Sequence, residues 1–191
     1  MFSFKKKYFL IIESIKEIDL RNIKIHNKFN IIYRIKHLKD NINDLKKFRN
    51  QCRLKHTNFY IANDIKLATL LKADGVYLSS SNKSLKILDL KKLNFDIIGS
   101  AHNIKEIALK KKQGCSFIIL SKLFLVDYDK SSSFYGITKF NKFITNVSKK
   151  LIPLGGIKAS NLNSLKIINS EGFTMLSEIK KKPTKIISRL F

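Results

Sequence analysis

A predicted strand, Phe59-Tyr60-Ile61-Ala62, ends on the polar pair Asn63-Asp64, and a second, Asp74-Gly75-Val76-Tyr77-Leu78, follows a short helical stretch. About a dozen residues between strands is close to the minimum for a crossover helix, so the two strands are expected to be parallel neighbours. Asn63 and Asp64 then stand at the carboxyl end of the first strand. In parallel sheets and barrels that end is where ligands bind.

The same alternation runs along the rest of the chain. Short apolar runs predict strands near 8–12, 29–35, 58–62, 74–78, 96–100, 116–121, 150–154 and 172–176. A helix over 40–56 sets Ile42, Leu45, Phe48 and Cys52 at helical spacing, and one over 103–113 does so with Ile104, Ile107 and Ala108. Asn103 followed by Glu106 has the form of a capping box at the start of the latter. Eight strands with interposed helices predict a (β/α)8 TIM barrel, with a doubly wound open sheet as the alternative. At 191 residues and 44% hydrophobic composition, the chain is expected to form a single domain over 1–191, near the lower size limit for such a barrel. The irregular stretch Leu125 to Tyr135, with Ser131-Ser132-Ser133, falls between the sixth strand and its helix, where a loop of that length reads as an active-site lid.

A net charge of +24 would ordinarily point to nucleic acid or an anionic membrane surface. The chain is equally rich in Asn, Ile and Phe, poor in Gly and Pro, and lacks Trp, the pattern of adenine- and thymine-rich codons. Its lysines are spread over nearly every segment, so they read as a solvated surface and a nucleic-acid partner is not expected. The apolar run from Tyr8 to Ile12 stops at Glu13, too short for a signal segment or a membrane span, so a cytoplasmic location away from membranes is expected. Cys52 and Cys115 have no Cys-x-x-Cys spacing and read as buried free thiols.

Three more strand ends carry chemistry. In Phe29-Asn30-Ile31-Ile32-Tyr33-Arg34-Ile35-Lys36, alternation places Phe29, Ile31, Tyr33 and Ile35 on one face and Asn30, Ile32, Arg34 and Lys36 on the other. If the second face points into the barrel, Arg34 and Lys36 need an anion there, and a pyrophosphate would supply it. The plain alternative is that the strand ends early and both cations are solvated. Asp96-Ile97-Ile98-Gly99 runs into Ser100-Ala101-His102, a hydroxyl and an imidazole at a strand end, although a lone His is more often structural. Leu151-Ile152-Pro153-Leu154 precedes Gly155-Gly156-Ile157 and Asn161. Paired glycines let backbone N–H groups approach a phosphate, and they also make ordinary turns.

Taken in order, Asn63-Asp64, Ala73 to Leu78, Gly99-Ser100-Ala101-His102, Leu154 to Ile157 with Asn161, and Gly172 to Ile179 resemble the thiamine-phosphate synthase and thiazole tautomerase family from about residue 29 to 180. The resemblance implies a barrel enzyme of thiamine biosynthesis. Such a transferase joins hydroxymethylpyrimidine pyrophosphate to a thiazole phosphate with Mg2+, giving thiamine phosphate and pyrophosphate. By this resemblance Arg34, Lys36 and Asn63 meet the pyrimidine pyrophosphate and Asp64 holds Mg2+. Ser100 lies near the pyrimidine, while Gly156, Leu176 and Ser177 receive the thiazole phosphate.

The chain also departs from the family. Ile32 stands where a Gln-x-Arg-x-Lys strand motif begins, and Asn82 falls where the second metal aspartate is expected, which weakens the Mg2+ site. The Pro-Thr-x-Thr-Lys loop after strand six is absent, leaving Lys130 as the candidate for its lysine. Two alternatives stay open: a thiazole isomerase with His102 as proton shuttle, and a non-catalytic binder of phosphorylated ligands. Whether the chain forms a homo-oligomer is also open.

Overall fold

Alternation along each strand sorts the core of this protein into two shells. The computed structural model describes residues 5–23, 27–35, 40–86, 94–127, 129, 131, 133–147 and 150–176. Eight strands, β1 (Lys7–Ile12), β2 (Phe29–Tyr33), β3 (Asn58–Ala62), β4 (Gly75–Leu78), β5 (Asp96–Ala101), β6 (Phe117–Ser121), β7 (Leu151–Leu154) and β8 (Gly172–Met175), close into a barrel in chain order. Every neighbouring pair is parallel, so the sheet is closed and the open-sheet alternative falls away. The seam sets Gly172 against Lys7. A Cβ at Gly172 would collide with the Lys7 carbonyl oxygen, so the missing side chain permits the approach that closes the ring.

Inward-facing Phe9, Ile11, Ile32, Tyr60, Tyr77, Ile98, Ile119 and Ile152 fill the barrel. Tyr8, Leu10, Phe29, Ile31, Tyr33, Phe59 and Phe173 face outward against the surrounding elements. The predicted split of β2 is therefore observed, with Ile32 inside and Phe29, Ile31 and Tyr33 outside. Helices α1 (Ile42–Leu54), α2 (Ile65–Leu70), α3 (Ile104–Lys112) and α4 (Gly136–Asn146) wrap this core, and a 3-10 segment, Ala159–Ile167, stands between β7 and β8. Among the described residues no helix is long and apolar enough to cross a membrane. Cys52 and Cys115 are both buried, and neither forms a disulfide among the described residues.

The helices differ from their predicted faces. In α1, Leu45, Phe48 and Cys52 are buried as expected, but Ile42, in the first turn, is 41% exposed. In α3, Ile104 is 56% exposed and Ala108 is also exposed, while Ile107 and Lys110 face inward. Hydrophobic periodicity picks out alkyl groups and so passes over Lys110, which is fully buried. Its Nζ donates to the carbonyls of Ser79 and Asn82, both at 2.7 Å, and to Gln113 Oε1 at 2.9 Å. Gln113 in turn donates to the carbonyls of Asn82 (3.1 Å) and Ser84 (2.9 Å). These two side chains satisfy loop carbonyls that no strand ladder pairs, and they brace the segment after β4 from behind. Burial holds the Lys110 ammonium below its ordinary pKa.

Candidate active site

The carboxyl ends of the strands enclose a cavity of about 460 Å3, a volume in the range of small-molecule sites. Arg34, Ser100, His102, Gly156 and Leu176, all singled out from the sequence, line it. A second hollow of about 390 Å3 lies at the opposite end of the barrel between Arg49, His56, Lys72 and Asp74. Arg49 is already committed there to Asp74 (2.7 Å) and to the Lys72 carbonyl (2.9 Å), so its charge serves the fold.

Arg34 follows β2 directly and faces inward, as its place in the alternation requires. The anion it needs is partly internal: Glu13, just past β1, accepts from Arg34 Nη2 at 2.5 Å. Arg34 Nε is buried with no partner among the described residues. The ion pair with Glu13 takes up only part of the five-donor guanidinium, which lines the cavity with N–H groups to offer an incoming oxygen.

Three cations surround the mouth. Lys122, immediately after β6, contacts Asp129 at 2.6 Å, and Lys158, after β7, contacts Asp127 at 2.5 Å. Both carboxylates belong to the Leu125–Tyr135 loop, where Val126 and Asp129 form an isolated bridge and Val126 and Asp127 line the cavity. Two residues of the predicted lid thus form part of the cavity wall, and the loop's ion pairs are ones that a phosphate can compete for. At Gly155 and Gly156 the backbone is left-handed, with φ of 101° and 64°. A Cβ on Gly156 would strike the Leu125 carbonyl and Phe124, so glycine lets the loop close on this turn. Asn161 braces the same turn by donating to the Gly156 carbonyl (2.8 Å) and accepting from Lys158 N (2.8 Å).

His102 sits where β5 gives way to α3. Asn103 caps α3 by accepting from Glu106 N at 2.9 Å, as predicted, and Glu106 turns its carboxylate back onto His102 N (2.8 Å) and His102 Nδ1 (3.2 Å). Burial pushes the Glu106 carboxyl up, but these donors together with Asn103 outweigh it and hold the group below its ordinary value. Tyr135, at the end of the lid, donates to the His102 carbonyl and ties lid to strand end.

Asn63 and Asp64 are not among the residues that line the cavity, although Asn63 is joined to it through Ser79. Asn63, in the left-handed region at φ 57°, accepts from Ser79 N (3.0 Å) and donates to Ser79 Oγ (3.1 Å), and Ser79 lines the cavity. Asp64 caps α2 by accepting from Leu67 N at 2.9 Å. Asn82 accepts from Ser84 N (3.1 Å) and points its amide nitrogen at Asn63 Oδ1 (3.4 Å). Among the described residues no three His, Cys, Asp or Glu side chains gather as a metal cluster. Asp64 keeps lone pairs beyond its cap, whereas the Asn63 and Asn82 amide oxygens already accept hydrogen bonds. A Mg2+ held by Asp64 would have to draw most of its ligands from a bound anion and water. Lys36, Lys130 and Ser177 lie outside the described residues.

The sequence reading passed over Glu13, Lys122, Lys158, Tyr77 and Thr174, all at or beside this cavity. Three of them had a readable signal. Glu13 and Lys122 directly follow strands, and Thr174, on β8, sits two residues before Leu176, which lies just past that strand.

A parallel eight-stranded barrel here carries cations and a glycine turn around one cavity at the carboxyl ends of its strands, the place where such barrels bind ligands. The family model for thiamine monophosphate synthase matches residues 23–179, and the chain belongs to that family. It is 26% identical over 172 residues to a thiamine-phosphate synthase of Prochlorococcus marinus (strain AS9601), covering 88% of this chain and 48% of that protein. It is 28% identical over 129 residues to a thiamine-phosphate synthase of Clostridioides difficile (strain 630), covering 64% of this chain and 59% of the relative. The chain spans about half the length of the curated relatives it matches. A thiamine phosphate pyrophosphorylase from Pyrococcus furiosus superposes with a TM-score of 0.73 at 18% identity, covering 99% of this chain and 98% of that one, which establishes the shared fold.

Proposed function

We propose that this protein is a cytoplasmic thiamine-phosphate synthase, coupling hydroxymethylpyrimidine pyrophosphate with thiazole phosphate. The observation that carries the reading is the convergence of Arg34, Lys122, Lys158 and the Gly155-Gly156 turn on one cavity in a chain of this family. In the reaction, the bond between the pyrimidine methylene and the pyrophosphate oxygen breaks, and its electron pair leaves with pyrophosphate. The thiazole nitrogen lone pair then forms the new carbon–nitrogen bond. Neither event requires a proton to be removed, so the protein's task is to stabilise the departing anion and hold two substrates in line. The Arg34 guanidinium, which lines the cavity, would meet the leaving group, and the two loop-paired lysines would exchange carboxylate for phosphate as substrates enter. Bound Mg2+, held by Asp64 and the pyrophosphate, would add positive charge to the leaving group.

The metal assignment has a direct test. Asp64→Ala is expected to lower activity by about ten- to a hundredfold, the scale on which disturbing even the outer partners of a metal acts. Asn82→Asp is expected to reduce the Mg2+ concentration needed for half-maximal rate. Activity indifferent to Mg2+ and unchanged in Asp64→Ala would contradict the assignment.

One observation favours a second reading, thiazole isomerisation. The His102 ring stands 3.2 Å from the Glu106 carboxylate, an arrangement suited to moving a proton. In that case His102→Asn would abolish isomerisation of a thiazole phosphate supplied without any pyrimidine. The synthase reading predicts no such isomerisation from the native protein.

A further inference from the structure

The cavity is graded in polarity. At its mouth the Arg34, Lys122 and Lys158 side chains are 34%, 21% and 38% exposed. Its floor is uncharged and closed: Tyr77, Ser100 and Thr174 are nearly or fully buried, and all three line it. Thr174 lies on β8, opposite Phe9 of β1 and Leu154 of β7. Its neighbours Phe173 and Met175 belong to the outer core, so Thr174 faces inward with Leu176. Tyr77 and Ser100 stand beside each other. The Thr174 Oγ1, in contrast, is fully buried with no hydrogen-bond partner among the described residues.

A buried hydroxyl without a partner forgoes the hydrogen bonds it would make in water, and a valine of the same shape would avoid that cost. Three buried side-chain atoms of the described residues lack a partner, and two of them, Arg34 Nε and Thr174 Oγ1, belong to residues that line this one cavity. The pair is complementary to a single molecule with an anionic end and an uncharged, hydrogen-bonding end. A phosphate does not suit the floor, which offers no cation. A heteroaromatic ring with a ring nitrogen and an exocyclic amine does suit it, because a hydroxyl both donates and accepts.

We propose that Thr174 is a specificity-determining residue whose hydroxyl hydrogen-bonds an aminopyrimidine ring on the cavity floor while the attached phosphates remain at the cationic mouth. This rests on the synthase reading for the identity of the ring. Sites built around a buried polar group reject analogues that leave it unpaired far more strongly than apolar pockets reject a change in size. Thr174 would therefore discriminate against carbocyclic or unsubstituted rings.

The test compares native protein, Thr174→Val and Thr174→Ser by calorimetric titration with hydroxymethylpyrimidine pyrophosphate and, separately, with inorganic pyrophosphate, alongside thermal unfolding. Thr174→Val is expected to weaken binding of the pyrimidine pyrophosphate about tenfold and to leave inorganic pyrophosphate unaffected. It should unfold at the same temperature as the native protein or higher, and Thr174→Ser should restore ring binding. Equal weakening of both ligands, weakening of neither, or a lower unfolding temperature in Thr174→Val would overturn the proposal. So would a native protein that fails to bind the pyrimidine compound. The tenfold difference in a native protein that makes no thiamine phosphate would uphold the role of Thr174 while removing the synthase reading.

Discussion

Arg34→Met is expected to lower kcat/KM for the pyrimidine pyrophosphate by about a hundredfold or more, since one charge-assisted hydrogen bond contributes about 1.5–3 kcal/mol and this group also supplies long-range charge. Methionine keeps the length and most of the apolar stem, so packing against β1 is largely preserved. The loss should fall on the rate as well as on binding, because charge on the leaving oxygen grows as the bond breaks. Arg34→Lys is not expected to rescue it. A lysine has one compact ammonium in place of the planar fork that contacts Glu13 through Nη2 and keeps further N–H groups to offer a ligand. Steady-state kinetics with each substrate varied checks this. Unchanged kcat/KM in Arg34→Met would remove the guanidinium from the reaction.

The second large effect is on stability. Burial pushes the phenols of Tyr33, Tyr60 and Tyr77 above their ordinary pKa, and Asp40 and Asp96 reinforce this for Tyr33 and Tyr60 by accepting a hydrogen bond from each hydroxyl at 2.9 Å. Burial likewise pushes the Cys52 thiol up to about 12. Each group holds its proton in the folded state at a pH where the unfolded chain has released it. The unfolded state then binds fewer protons, and stability falls as pH rises. The contribution is intact below the unfolded pKa values, about 8.5 for Cys and 10 for Tyr, and is lost above them at about 1.4 kcal/mol per pH unit for each group. Three phenols raised in the same direction make the loss steepest above about pH 10. Lys5 and Lys110 act in the opposite sense, both held below their ordinary value by burial, while Tyr135, raised by burial, acts with the other phenols. Denaturant titrations from neutral to strongly alkaline pH should show a midpoint that is flat to about pH 9 and then collapses. Phenolate absorbance should appear together with unfolding. Ionisation of these phenols at their ordinary pKa within an intact fold would contradict the burial seen here.

The barrel was legible because its signals are local. Each strand is a short apolar run of its own, and the alternation in Phe29 to Arg34 separates barrel interior from helix contacts without any knowledge of the rest of the chain. Asn103 capping through Glu106 N is a contact three residues long and was equally readable. Where reading failed, the missing information was distant in sequence. Lys110 is buried because carbonyls 28 and 31 residues earlier receive its ammonium, and helical periodicity carries no trace of them. The same distance hid Glu13, whose partner Arg34 lies just past the next strand, and Lys158, which reaches back to Asp127. Closure of the barrel creates these neighbours, so they become visible only once register is known. The Asn63-Asp64 pair shows the reverse limit: its position at a strand end was readable, but the helix cap and the Ser79 contact that occupy its side chains were not.

The central claim is a bond-forming reaction between two phosphorylated rings, and the most direct measurement is product analysis. Purified protein is given hydroxymethylpyrimidine pyrophosphate, thiazole phosphate and Mg2+, with each omitted in turn, and products are resolved by chromatography and mass spectrometry. The account predicts thiamine phosphate and pyrophosphate in equal amounts, only when both substrates are present, and at a rate reduced about a hundredfold in Arg34→Met. No thiamine phosphate at saturating substrates and metal, or an isomerised thiazole phosphate formed without the pyrimidine, would contradict it.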